Sequence, residues 1–178
     1  MPCRVAMATV DHTMIDVSEA DLSAALHVSR FVREVAAASP YADWPALRDA
    51  AHASATPLSP AEIDEAMESH PRIGDKPTGA DAAAEFSRRE QQAVDVDDQH
   101  LLKALAEGNA TYEARFDRVF LIRAAGRSRA EIVDELDRRL KLDDDTELSI
   151  VGQELRDIAV LRLESVYADD AASTKPRA

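Results

Sequence analysis

The chain has 178 residues and a formal net charge of −13. This acidity excludes a broad nucleic-acid-binding face, which would be basic, and suits a domain that handles a small molecule. Apolar residues make up 46% but aromatics only 4%, with five glycines, so the core must come from Ala, Leu, Val and Ile, and a turn-rich β fold is excluded.

Residues 1–16 show no clear period and are expected to form a flexible N-terminal segment. Cys3, the single cysteine, excludes an intrachain disulfide framework and points to a reducing compartment. No signal peptide or membrane span is expected. Ser18 reads as a helix cap, with Val17 and Leu22 placed for a hydrophobic staple. The apolar phase shifts near Val28-Ser29, so a short helix followed by a second is expected before Ser39-Pro40.

Trp44-Pro45 opens another helix, whose apolar side is Leu47, Ala51 and Ala55. Ser59-Pro60-Ala61-Glu62 is a capping box with proline in the first turn. This helix carries Ile63, Ala66 and Met67 and delivers the chain to His70-Pro71. A residue before proline is pushed out of the helical region, so His70 stands at a helix exit. It either complements the helix C-terminus or is aimed into a cleft.

A helix over 82–94 places Ser87, Glu90 and Gln91 on one face, either solvated or functional. Another runs from about Asp97 to Phe116, with Gly108 a weak point in its middle. Val119-Phe120-Leu121-Ile122 reads as a buried extended segment. Its backbone groups must bond either neighbouring loops or a ligand. Ser128-Arg129-Ala130-Glu131 is a second capping box, followed by a stripe of Ile132, Val133, Leu136 and Leu140.

Asp143-Asp144-Asp145-Thr146-Glu147 reads as a charged surface turn. The last helix, from about Thr146 to Val166, has the stripe Leu148, Val151, Leu155, Ile158 and Val166. Arg162 falls on that stripe, which requires either a buried carboxylate or a pocket with an anionic or carbonyl-rich ligand. Residues 168–178 are expected to be a disordered tail. The five histidines never pair at metal-ligand spacing. Seven or eight helices with short connections imply an all-α, compact single-domain bundle.

His70-Pro71-Arg72-Ile73-Gly74 and Ser87-Arg88-Arg89-Glu90-Gln91 resemble the signature of the 2-oxo-4-hydroxy-4-carboxy-5-ureidoimidazoline (OHCU) decarboxylases of urate catabolism. Tyr112, Arg115-Phe116, Phe120-Leu121-Ile122, Ala124, Gly126-Arg127-Ser128, Glu131-Ile132, Arg139-Leu140 and Leu161-Arg162-Leu163 extend the match in order. The resemblance implies a helical domain over residues 17–167 that converts OHCU to (S)-allantoin without metal or organic cofactor. It implies His70 as acid/base and Glu90 as the group that orients and tunes it. Pro71, Ser87, Gln91, Arg162 and the segment Phe120, Leu121, Ile122 and Ala124 are implied to bind substrate. A cytoplasmic homodimer is implied too, with no nucleic-acid or membrane partner. The alternatives are a lyase for a related ureido or imidazolone acid, or a non-catalytic helical module. Against the family pattern, Asp117 stands where glycine is usual, Arg123 where cysteine is common, and Lys141-Leu142 where a helix-stopping pair is usual.

Overall fold

The computed structural model describes residues 14–68, 70 and 99–172, with side chains to residue 168. Pro71, Ser87, Glu90, Gln91 and the helix expected over 82–94 lie outside these residues.

Helix starts follow local chemistry. Ser18 caps α1 (Glu19–Ala25) by accepting from the Asp21 amide at 3.0 Å. The expected break near Val28 separates it from α2 (Ser29–Ala37). Asp43 caps α3 (Trp44–Ser54) through the Ala46 amide at 2.9 Å, with Pro45 in the first turn. Both capping boxes form, at α4 (Pro60–Met67) and α6 (Arg129–Arg139). Between them runs α5 (Gln99–Phe116), and α7 (Asp144–Ala172) closes the described chain. The described residues are all-α, with seven helices and one isolated bridge between Ile15 and Tyr41.

Three local expectations change. Helix α7 begins at Asp144 and continues to Ala172, six residues beyond Val166. Ile15, within the stretch expected to be flexible, is buried and exchanges two backbone hydrogen bonds with Tyr41. Gly108 lies where α5 and α6 pack closely: a Cβ there would lie 2.5 Å from Leu136 Cδ2, so a larger residue requires the Leu136 side chain to shift.

Two apolar cores result. The larger gathers α1–α4 around one face of α7, through Leu22, Phe31, Leu47, Ile63, Val151, Leu155 and Leu163. The smaller joins α5 to α6 through Leu105, Tyr112, Phe116, Ile132 and Leu136. The extended segment is shared between them. Leu121 enters the larger core, while Phe120, Ile122 and Ala124 enter the smaller one. This is the alternation of an extended chain, used to bridge two cores.

Where the chain departs from the family pattern, the backbone finds other solutions. Asp117 adopts φ 53°, in the left-handed region that glycine would occupy more cheaply, and its amide bonds Glu113 O at 2.9 Å. After Arg139 no left-handed residue is used. Leu140 stays right-handed, and the Lys141 and Leu142 amides reach back to Arg138 O and Arg139 O at 3.2 and 3.1 Å. Those three-residue bonds tighten the helix end.

Candidate active site

His70 closes the exit of α4. Its backbone amide bonds Met67 O at 3.1 Å, and its ring Nδ1 lies 2.8 Å from Ala66 O. A carbonyl only accepts, so Nδ1 carries the hydrogen and Nε2 is left with the lone pair. That Nε2 is buried, with no hydrogen-bond partner among the described residues. Burial, and then the positive charge of Arg162, push the imidazole pKa down from 6.5 to about 4, against the smaller opposing effect of the Ala66 carbonyl. His70 is therefore a neutral ring at neutral pH, presenting a buried basic nitrogen.

Glu90, which the resemblance implies orients and tunes His70, lies outside the described residues. Among the described residues the Ala66 carbonyl sets the tautomer, and the pKa moves downward.

Arg162 is 4% exposed, on the buried stripe of α7. Its Nη1 donates to Ala24 O at 3.3 Å and Ala25 O at 3.5 Å. These carbonyls end α1, which has no basic residue in its own last turn. A cation there meets the negative end of the helix dipole. The α4 exit and Arg162 of α7 thus meet near the end of α1, close enough for Arg162 to act electrostatically on His70.

The extended segment is buried at Phe120 (0%), Leu121 (4%), Ile122 (3%) and Ala124 (5%), with Val119 and Arg123 half-buried. Part of its backbone is satisfied by side chains. Arg139 Nη1 donates to Leu121 O at 2.7 Å, and the Arg123 amide donates to Glu154 Oε2 at 2.7 Å. No hydrogen bond of the Phe120 or Ile122 backbone is seen among the described residues.

Sequence reasoning missed the groups that hold this segment. Arg139 and Glu147 are both fully buried. Arg139 Nε lies 2.8 and 3.0 Å from the two Glu147 oxygens, and its Nη2 makes a further short contact. The Tyr112 hydroxyl donates to the same carboxylate. Burial, and then that bond, raise the tyrosine pKa. The guanidinium also sits 4.8 Å from the Phe120 ring centroid. Glu147 is therefore no part of a surface turn. The signal was available: Arg139 is three residues past Leu136 and Glu147 four before Val151, so each charge lies on an apolar stripe, as Arg162 does.

A cavity of about 390 Å³ opens between the α3–α4 connection and α7, lined in part by Leu58, Ile63, Leu148 and Arg156. It contains none of the sequence-predicted site residues. Among the described residues, no cluster of three or more His, Cys, Asp or Glu is placed to hold a metal ion.

The model for the OHCU decarboxylase family matches residues 16–164. The chain belongs to this family. A relative, the uric acid degradation bifunctional protein TTL of Arabidopsis thaliana, is 26% identical over 161 residues. The match covers 88% of this chain and 49% of that protein, so the chain spans about half the relative's length. A crystal structure of an OHCU decarboxylase in the presence of (S)-allantoin shares the fold, with TM-score 0.68 and 22% identity over 86% of this chain and 100% of that one. No helix among the described residues is long and apolar enough to cross a membrane.

Proposed function

We propose that this member of the OHCU decarboxylase family converts OHCU to (S)-allantoin and CO2, with His70 as the proton carrier and residues 17–167 as the catalytic domain. The observation that carries the reading is the buried Nε2 of a neutral His70, without a hydrogen-bond partner among the described residues and under the charge of Arg162. A neutral base beside a fixed cation suits an anionic substrate that must lose one proton and regain it elsewhere.

The bond between the carboxylate and its ring carbon breaks, releasing CO2. Its electron pair forms a double bond to the neighbouring ureido-bearing carbon. The C=N π pair of that carbon moves onto the ring nitrogen, which takes a proton from solvent. His70 Nε2 removes the proton of the hydroxyl left on the decarboxylated carbon and returns it to one face of the ureido-bearing carbon. A ketone and the new C–H of (S)-allantoin result. The imine serves as the electron sink, so the substrate itself supplies that function. A low imidazole pKa favours the return step, because the imidazolium formed is a strong acid.

Arg162 is assigned to an anionic oxygen of the substrate. Glu90 is assigned to orient and tune His70, with Ser87, Gln91 and Pro71 lining the pocket. The backbone of Phe120, Leu121, Ile122 and Ala124 is assigned to the ureido and ring amides. These assignments follow the family resemblance, as do a homodimeric state and a cytoplasmic location. Freshly generated OHCU incubated with the protein should give (S)-allantoin faster, and with higher enantiopurity, than spontaneous decay does. No acceleration at micromolar protein would sink the proposal.

A further inference from the structure

Two glutamates on α7, seven residues and so about two helical turns apart, hold the extended segment from the same side. Glu154 takes the Arg123 amide directly at 2.7 Å. Glu147 acts through Arg139, whose Nη1 reaches Leu121 O at 2.7 Å. Glu154 also pairs with Arg127 at 3.6 Å, and the Arg127 amide bonds Ala124 O at 3.0 Å. An irregular segment has no ladder to define its course, so the bonds from Glu154 and Arg139 define it. Burying an arginine and a glutamate costs several kcal/mol before they attract each other, and apolar replacements often stabilise as well or better. The arrangement is therefore poorly explained by stability alone. It does fix a carbonyl and an amide two residues apart, on either side of Ile122.

We propose that Arg139, Glu147 and Glu154 are positioning residues, which set the aim of the Phe120–Ala124 backbone toward the substrate's amide groups without touching substrate. This rests on the decarboxylase reading.

The test is steady-state kinetics with OHCU alongside thermal melting. Glu154→Ala should raise KM about five- to twenty-fold with kcat within about threefold, as expected for misplaced binding groups. Glu154→Gln keeps a carbonyl acceptor for the Arg123 amide and should return KM to within about twofold of the parent. Arg127→Ala removes only the outer ion pair and should leave KM unchanged. At the buried end, Arg139→Met, Glu147→Leu and Tyr112→Phe together exchange the polar network for apolar volume. That protein should fold and show KM raised at least about tenfold. If it does not fold, the Glu154 pair of variants decides. A lower melting temperature with unchanged KM in Glu154→Ala would overturn the inference, as would unchanged KM in a folded triple variant. A parent protein that does not turn over OHCU removes the decarboxylase reading and this inference with it. Parent turnover with unmoved variants removes this inference alone.

Discussion

Two buried arginines on apolar stripes act on different neighbours in this molecule. Arg139 has its charge answered by Glu147 on the next helix, and its Nη1 donates to Leu121 O. Arg162 donates long bonds to two carbonyls at the end of α1, and its charge reaches the imidazole of His70. A neutralised guanidinium between two cores is a fastening. A guanidinium whose charge depresses a neighbouring histidine biases proton chemistry. The same sequence signal, a cation on a helix's apolar face, therefore carries two meanings, and the partner decides which.

The sharpest way to test the second environment is to remove its base. His70→Asn should cut kcat by about 10²–10⁴-fold, the usual range for a general acid–base group, while the melting temperature stays within a few degrees. Activity that survives would leave the proton carrier to be sought elsewhere.

The contrast itself is tested by truncating each arginine. Arg139→Ala strands the Glu147 carboxylate in a dry site and should cost about 3–5 kcal/mol in urea unfolding. Arg162→Ala should raise KM by about ten- to a hundred-fold, the worth of a charge-assisted hydrogen bond, with the smaller loss of stability. Equal stability losses with unchanged KM would make both arginines fastenings.

His70 also predicts a pH dependence. Its pKa is about 4 when folded, against 6.5 ordinarily, so between those values the unfolded chain binds more protons. The contribution is fully present above pH about 6.5 and is lost as pH falls toward 4, at up to about 1.4 kcal/mol per unit. Urea melts at pH 7.5 and 5 should show this slope in the parent and a shallower one in His70→Asn.

The smallest effect lies away from both arginines. Asp117→Gly relieves a left-handed residue at the end of α5 and should stabilise the fold by about 0.5–1 kcal/mol, read as a shift in the urea midpoint. A loss of stability there would mean that the aspartate side chain contributes more than its backbone conformation costs.

Much of the fold was legible because its signals are local. Ser18, Asp43, Ser59 and Ser128 each cap a helix through groups within three residues, and the shift of apolar phase near Val28 marks a real break. His70 at a helix exit was legible for the same reason, since proline acts on the residue before it. The acidic run before α7 misled because Glu147 is the one member that turns inward, and its partner is eight residues back on another helix. The extended segment was recognisable from its composition, but its alternation between two cores was not.

Local sequence thus determined where helices begin, which faces are apolar and that a histidine stands at a helix exit. Those depend on steric preferences and hydrogen bonds a few residues long. Tertiary structure decided that Glu147 rather than solvent answers Arg139, that Ala66 O holds His70 Nδ1, and that the pKa of His70 falls. Burial and Coulomb interactions depend on distance through space, and a pattern along the chain does not contain that distance.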